Sequence, residues 1–131
     1  MASPGKVVAD VLASNGYGRE VRALIERTVA VRKSSTSQPA NRPLIPEHMA
    51  SLRVYVDMLP PDAITLVDYV LTKGSTAVAC ANLLQERFPA ATIRIFAMIR
   101  TQGLIDEIKK IADPSIGTII GYDSGKPYRN P

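Results

Sequence analysis

Residues 64–76, with the sequence ITLVDYVLTKGST, constrain the fold of this chain more than any other segment. The first four residues are uncharged and mostly β-branched, which is typical of a central strand in a parallel sheet covered on both faces. A glycine and three hydroxyl residues follow near the end of the segment, and they favour a turn that leads into a helix. We therefore expect a strand, a turn and a helix in direct succession.

The predicted turn has the composition of an anion-binding site. Residues 72–76, TKGST, would place backbone N–H groups and hydroxyls at a helix N-terminus, where unpaired donors and the helix dipole attract negative charge. Asp68 is expected at the carboxyl end of the strand, the edge at which open α/β sheets bind ligands. Its carboxylate could accept hydrogen bonds from sugar hydroxyls and help to hold Mg²⁺. The alternatives without a binding role are an ordinary helix or turn acid for Asp68 and a helix-capping turn for residues 72–76.

This segment resembles the phosphoribosyl-pyrophosphate motif of the type I phosphoribosyltransferases, which has four apolar residues, two acids, two aliphatic residues and a T-x-G-x-T-like loop. Within that family, the chain is most similar to the competence-type predicted amidophosphoribosyltransferases. The second acid of the motif falls on Tyr69, so Asp68 alone would meet the ribose hydroxyls. We expect Tyr69 either to fill the space of the missing carboxylate or to stack on the ribose or a base. Relative to the family, the chain is expected to begin after the first strand and the pyrophosphate loop.

The resemblance implies a ligand and a set of contacts. The ligand would be phosphoribosyl pyrophosphate or another ribose 5-phosphate group, bound with Mg²⁺ and transferred to a nitrogenous acceptor. The alternative is a non-catalytic module that kept the phosphate loop and lost the reaction. The predicted site residues are Asp68, which would also be the catalytic residue and the Mg²⁺ ligand, Tyr69, Thr72, Lys73, Gly74, Ser75 and Thr76.

Cations outside the motif are candidates for contacts with pyrophosphate or substrate. Residues 27–46 contain four cations and no acid, and Lys33 and Arg42 lie in this basic run. Arg100 ends a predicted strand and, if the two strands are parallel, would lie at the same sheet edge as Asp68 and could contact pyrophosphate or substrate. The alternatives are a solvated basic loop and a local salt bridge of Arg100. Nucleic acid is disfavoured as a partner because the cations are few and no aromatic residues interleave with them.

The order of predicted elements indicates a single α/β domain over residues 1–131. We expect a parallel sheet of about five strands with helices on both faces, a Rossmann-like arrangement of three layers. Ser3 and Pro4 should start the first helix, and Asn15-Gly16 should end it. Further helices are predicted over 19–26, 76–87 and 104–111, and strands over 28–32, 52–56, 64–67, 92–98 and 118–122. Residues 33–47 should form a loop, mobile by the family resemblance, and residues 123–131 a polar tail.

Composition sets the remaining bounds. The 131 residues carry a net charge of +4 and include one cysteine and one histidine, which excludes an internal disulfide and a structural zinc site. The N-terminus lacks the apolar core of a signal peptide, and the apolar runs are too short to span a bilayer. We therefore expect a cytoplasmic protein, and a homodimer that covers an exposed sheet edge or helix face.

Overall fold

The computed structural model describes residues 3–28, 44–55, 59–101, 114–121 and 126–130. Within these ranges the helices are α1 (Pro4–Ser14), α2 (Ile45–Ala50) and α3 (Ser75–Arg87). The strands are β1 (Ile25–Arg27), β2 (Leu52–Val54), β3 (Ala63–Leu71), β4 (Thr92–Arg100), β5 (Thr118–Gly121) and β6 (Pro127–Asn130). The pairs β1-β2 and β5-β6 are antiparallel, and the pair β3-β4 is parallel.

The central unit is the succession β3, α3, β4. The two strands pair in parallel, from Ala63 opposite Thr92 to Leu71 opposite Arg100. This confirms the predicted strand, helix and strand, and it confirms the predicted parallel direction. Both strands extend further than expected, and β3 continues four residues past the predicted end at Val67. The reason is that β3 stays paired with β4 beyond Asp68, up to Leu71 opposite Arg100, and this pairing holds the backbone extended.

The main core lies between α3 and one face of this parallel pair. Leu84 and Phe88 at the end of α3 are 1% and 3% exposed and lie in one cluster with Leu24 and Ala91. The partly buried strand residues packed against this cluster include Ile64, Leu66 and Ile93. Because side chains alternate along a strand, Asp68 lies on the same face of β3 as Ile64 and Leu66. The acid therefore belongs to the face that α3 covers.

The ends of α1 follow the predicted capping. The Ser3 hydroxyl accepts a hydrogen bond from the Lys6 N–H at 3.3 Å, with Pro4 in the first turn. At the other end, Gly16 has φ +84 and its N–H donates to the Ala13 carbonyl, while the Tyr17 N–H donates to the Leu12 carbonyl. These two bonds define a Schellman motif, which requires a left-handed residue at this position. The helix contacts β3.

Three predictions are wrong in whole or in part. The helix expected over 19–26 is absent, and its last residues lie in β1 because pairing with β2 outweighs the helical spacing of the apolar residues. Of the loop expected over 33–47, residues 33–43 lie outside the described residues, whereas residues 45–47 are helical and begin α2, where Pro46 is tolerated in the first turn. The tail expected over 123–131 contains β6, which pairs with β5.

Other predictions fall wholly or partly outside the described ranges. The helix over 104–111 does so entirely, as does most of the strand over 28–32, of which Thr28 is described and follows β1. The α/β class is confirmed, and parallel pairing within the described ranges is confined to β3 and β4. The five-stranded parallel sheet with three layers stays a prediction.

Candidate anion-binding site

The turn that opens α3 is built around Gly74. This residue is the N-cap of the helix and has φ +101 and ψ 8, a left-handed conformation that favours glycine. Its carbonyl accepts the Val78 N–H at 2.8 Å, and it makes no side-chain cap hydrogen bond. A Cβ at this position would lie 3.0 Å from Cδ1 of Ile119 in β5. The glycine therefore allows both the left-handed turn and the close packing of β5, and it contributes no side-chain cap to the first N–H groups of α3.

Asp68 lies within β3 rather than at its end. Three strand residues follow it, so the predicted position at the carboxyl end of the strand is wrong. The side chain is half-buried, and its Oδ1 accepts the Tyr69 N–H at 2.8 Å. Burial raises the pKa of the Asp68 carboxyl above its usual value, and hydrogen bonds from the backbone N–H groups of Tyr69 and Val70 oppose that rise. This carboxylate is partly desolvated and faces the α3 side of the sheet.

Neither Tyr69 nor Arg100 lies beside the Asp68 side chain. Alternation along β3 places Tyr69 on the opposite face, where its side chain is 42% exposed. Arg100 pairs with Leu71, whereas Asp68 pairs with Ala97. Arg100 is therefore three positions further along the sheet and on the other face, which is about 10 Å at 3.3 Å per residue. The strands are parallel as expected, but Asp68 does not lie at the sheet edge where Arg100 ends β4, because β3 continues to Leu71. A contact of Arg100 with pyrophosphate or substrate stays a prediction.

The remaining predicted residues divide into two groups. Thr72 and Lys73 lie in the bend before Gly74, where Thr72 is half-buried and Lys73 is exposed, and the half-buried Ser75 is the first residue of α3. Lys33 and Arg42 lie outside the described residues. The turn and the helix start are therefore where the sequence predicts them.

A buried polar cluster that the sequence did not predict lies behind the turn. His48 and Ser51, at the end of α2, are 2% and 3% exposed. Arg27 donates from one guanidinium nitrogen to Ser51 Oγ at 2.6 Å and from the other to His48 Nδ1 at 3.3 Å. His48 Nε2 lies 3.3 Å from the hydroxyl oxygen of Thr76, the second residue of α3. The cluster thus joins β1, α2 and the first turn of α3.

A sequence signal for the burial of His48 exists in retrospect. Ile45, His48, Met49 and Leu52 follow the spacing of one helix face, and this places the histidine inward once residues 45–50 are read as a helix. The three prolines between residues 39 and 46 indicated a loop instead. The contact with Thr76 has no such signal, because it joins residues that are distant in sequence.

The electrostatics of the site link the cluster to Asp68. Burial raises the pKa of the Cys80 thiol on α3 to about 11, the Arg27 guanidinium opposes the rise and the Asp68 carboxylate adds to it. Arg27 and Asp68 therefore act on the same part of α3 from different strands. The pKa of His48 is lowered by burial and by Arg27, with Glu47 opposing. His48 is consequently neutral near pH 7.

The chemistry available here is binding of an anion and of hydroxyl groups. Helix N–H groups and the Thr76 hydroxyl can donate to a phosphate, and the Asp68 carboxylate can accept from a polyol. Among the described residues, no group of three or more His, Cys, Asp or Glu side chains is placed to hold a metal ion. Asp68 can supply one carboxylate, which suits a cation shared with a phosphorylated ligand.

Comparisons with known proteins give no relative. No protein-family model matches the chain, and neither a curated protein nor a solved structure matches it. In the part of the chain that the structure describes, no helix has the length and apolar character needed to cross a membrane. The fold and the site thus define an α/β protein with a glycine-dependent turn at a helix N-terminus, a half-buried acid and a buried histidine.

Proposed function

We propose that this protein binds phosphoribosyl pyrophosphate or a ribose 5-phosphate group. The 5′-phosphate would bind at the turn before α3 and at its first N–H groups, and the ribose hydroxyls would lie toward Asp68. One observation carries the proposal, namely the left-handed Gly74 at the N-cap of α3 inside a parallel β-α-β unit, with Asp68 on the α3 face of the same strand. Donors for a phosphate and an acceptor for a sugar thus come from one contiguous segment.

The environment of Asp68 supports a functional role. A half-buried carboxylate with a raised pKa costs stability in the unliganded protein, and such groups concentrate at functional sites. A bound cation would remove part of that cost. Mg²⁺ is typically held by one or two carboxylates together with substrate phosphates, and Asp68 can supply the one carboxylate. The Mg²⁺ would neutralise charge on the phosphates when it is bound.

Membership of the type I phosphoribosyltransferases is part of this proposal, and so is their parallel sheet of about five strands in three layers. The support is the motif in residues 64–76 together with the parallel pair β3-β4 around α3. In the enzymatic form of the proposal, the ribose C1–O bond to pyrophosphate breaks and a C1–N bond to the acceptor forms. Pyrophosphate then leaves with the bonding electron pair. The homodimer and the cytoplasmic location stay predictions.

Between enzyme and binding module, we favour a binding module with weak or no transfer activity. Tyr69 occupies the position of the second acid of the motif and lies on the opposite sheet face from Asp68. No second carboxylate therefore comes from the neighbouring residue in the motif. Loss of one preorganised electrostatic contact typically costs about 10²- to 10³-fold in rate. Transfer by this chain should accordingly be slow.

Binding is tested by calorimetry with ribose 5-phosphate and with phosphoribosyl pyrophosphate, each with Mg²⁺, against ribose and inorganic phosphate alone. Asp68→Asn should weaken binding about 10- to 100-fold, because hydrogen bonds to a charged group contribute about 1.5–3 kcal/mol. Asp62→Asn is the matched control, since Asp62 is an exposed acid just before β3. No binding to the wild type at millimolar concentration, or equal binding by Asp68→Asn, contradicts the proposal.

Catalysis is tested separately by pyrophosphate release from phosphoribosyl pyrophosphate with a panel of nitrogenous bases and ammonia. We expect no turnover or turnover far below one per second, whereas ordinary enzymes reach about 1–10³ per second. Turnover of several per second would show that the single acid suffices, and the enzymatic form of the proposal would then replace the binding module.

A further inference from the structure

The outer edge of β4, on the side away from β3, carries backbone groups without partners among the described residues. The Thr92 N–H donates to the Asp62 carbonyl at 2.9 Å, so Thr92 points toward β3. Because peptide groups alternate in direction along a strand, the N–H and C=O groups of Ile93, Ile95 and Ala97 point outward. Within the described ranges β4 pairs with β3 alone, and no hydrogen bond reaches these three residues from the outer side.

The outer edge of β3 is covered instead. A Cβ on Gly5, in the first turn of α1, would lie 3.4 Å from the Val67 carbonyl oxygen, which by the same alternation points away from β4. The helix therefore lies close against that edge. In contrast, β4 is nine residues long, contains no proline and is unpaired on its outer side within the described ranges. A long open edge of this kind is a template for pairing with a further strand.

The side chains of β4 also leave apolar surface beside the open edge. Phe96 and Met98 are 37% and 60% exposed. Phe96 lies on the face away from α3, because Ile93 packs against the core cluster of α3 and an odd number of positions separates the two residues. A parallel sheet is normally covered on both faces, and a two-stranded sheet is marginal by itself. A strand added at β4 would extend the sheet and shield these side chains.

We infer that β4 pairs with β4 of a second copy of this chain, antiparallel about a two-fold axis at Phe96, so that one sheet continues through a homodimer. A two-fold axis between neighbouring strands makes them antiparallel and makes the interface self-complementary. Phe96 is the middle residue of β4, so the whole strand from Thr92 to Arg100 finds a partner. Ile95 exchanges both of its outward hydrogen bonds with Ala97 of the partner subunit. The pairing does not depend on the phosphate site.

The arginines of β4 favour the axis at Phe96. In this register Arg94 lies opposite Met98 of the partner subunit, and Arg100 lies opposite the partner's Thr92. No cation therefore faces a cation across the axis, and the aliphatic stem of Arg94 covers the exposed Met98 side chain. The two Phe96 rings meet at a non-hydrogen-bonded pair, where side chains are closest and aromatic contacts are favourable.

Neighbouring registers are less favourable. An axis at Arg94 or at Ala97 sets Arg94 opposite an arginine of the partner subunit, and like charges directly opposite destabilise a strand pair. Among the described residues no acid forms an ion pair with Arg94 or Arg100, so nothing there would neutralise such a contact. An axis at Ile95 avoids the clash but leaves Arg100 beyond the end of the paired strand.

Sedimentation equilibrium of the wild type tests the dimer, and two proline variants test its surface. Ala97→Pro removes from each copy an N–H that donates across the axis, and it should raise the dimer dissociation constant about 10- to 100-fold. Proline is tolerated at an edge position whose N–H faces solvent, so the monomer should keep its circular dichroism spectrum. Ala63→Pro is the matched control, because Ala63 begins β3 and its N–H points to the other edge. This variant should dimerise as the wild type does.

Disulfide trapping tests the register, in protein whose native Cys80 is replaced by alanine. The two copies of residue 96 would face each other with Cα atoms about 4.5 Å apart, which a disulfide can bridge. Phe96→Cys should therefore cross-link under mild oxidation. Met98→Cys is the control, since Met98 is the more exposed side chain, yet its two copies would lie about 13 Å apart along the strands. Met98→Cys should stay without a cross-link.

Each result supports or overturns the inference. A wild type that stays monomeric at high micromolar concentration overturns it. A dimer that a folded Ala97→Pro leaves intact must use another surface, and equal cross-linking of Met98→Cys and Phe96→Cys would show random collision rather than a fixed register. If Ala97→Pro does not fold, the two cysteine variants decide. None of these measurements involves ribose 5-phosphate, so the proposed function stands or fails separately.

Discussion

Replacement of Gly74 by alanine is the sharpest perturbation that the turn before α3 offers. A left-handed backbone costs an ordinary residue about 1–2 kcal/mol. The added Cβ would also lie 3.0 Å from Cδ1 and 3.1 Å from Cγ2 of Ile119, and such overpacking typically costs about 1–3 kcal/mol. The smaller entropy of the unfolded alanine chain returns about 0.4–1 kcal/mol. We expect Gly74→Ala to lower the free energy of unfolding by about 2–3 kcal/mol.

Variants at two other glycines separate the contributions of backbone strain and packing in urea denaturation. Gly16 has φ +84, and no atom lies within 4 Å of the position that a Cβ would take. Gly16→Ala should therefore lower the free energy of unfolding by only about 1 kcal/mol, through backbone strain. Gly18 has neither a positive φ nor a near neighbour, and Gly18→Ala should be neutral or slightly stabilising. The urea concentration at the midpoint of unfolding should therefore be highest for Gly18→Ala, lower for Gly16→Ala and lowest for Gly74→Ala.

The packing contribution is isolated by a second change. Ile119→Ala removes both side-chain atoms that the new Cβ would meet, so the double variant with Gly74→Ala should lose less than the sum of the two single variants. If Gly74→Ala costs no more than Gly16→Ala, or if the two changes are additive, Ile119 does not pack on the turn. Wild-type stability of Gly74→Ala would refute the left-handed conformation itself.

Four further predictions concern stability and reactivity. The pKa of the Asp68 carboxyl is raised above 3.8, the ordinary pKa of an aspartic acid, so its charged form costs stability as the pH rises above 3.8. Asp68→Asn should therefore unfold at a higher temperature than the wild type at pH 7. The lowered pKa of His48 means that the unfolded chain takes up a proton first as pH falls below 6.5. The wild type should therefore lose stability from pH 7 toward pH 5, and His48→Gln should lose less. Leu84→Ala should cost about 2–5 kcal/mol in urea denaturation, because Leu84 is 1% exposed. Cys80, with a pKa of about 11, should react with a thiol reagent at pH 8 much more slowly in the folded protein than in urea, and equal rates would contradict its burial.

Local signals explain what the sequence predicted well. The unit of β3, α3 and β4 is contiguous, and Pro89 follows the helix closely. The spacing of the apolar residues and the proline that ends the helix are therefore enough to predict it. The same holds for α1, where Ser3 and Gly16 mark both ends. These elements require little information from distant parts of the chain.

The errors arise where distant pairing decides the structure. Ile25 lies in a strand because it pairs with Val54, and no local spacing reveals a partner so far along the chain. The length of β3 is likewise set by pairing with β4 up to Arg100, and this moves Asp68 away from the strand end. His48 meets Thr76 only after α2 packs beside α3. Side-chain partners of this kind follow from tertiary packing and not from the motif.

The contact between Gly74 and Ile119 has a consequence for synthesis of the chain. The ribosome makes the turn before it makes β5, the strand that supplies the residue packed on the turn. A nascent chain that has released α3 but not β5 therefore holds the turn without the side chain that covers Gly74. The turn reaches its final packing only when the β5-β6 hairpin docks, so a ligand that recognises this packing distinguishes finished molecules from incomplete ones.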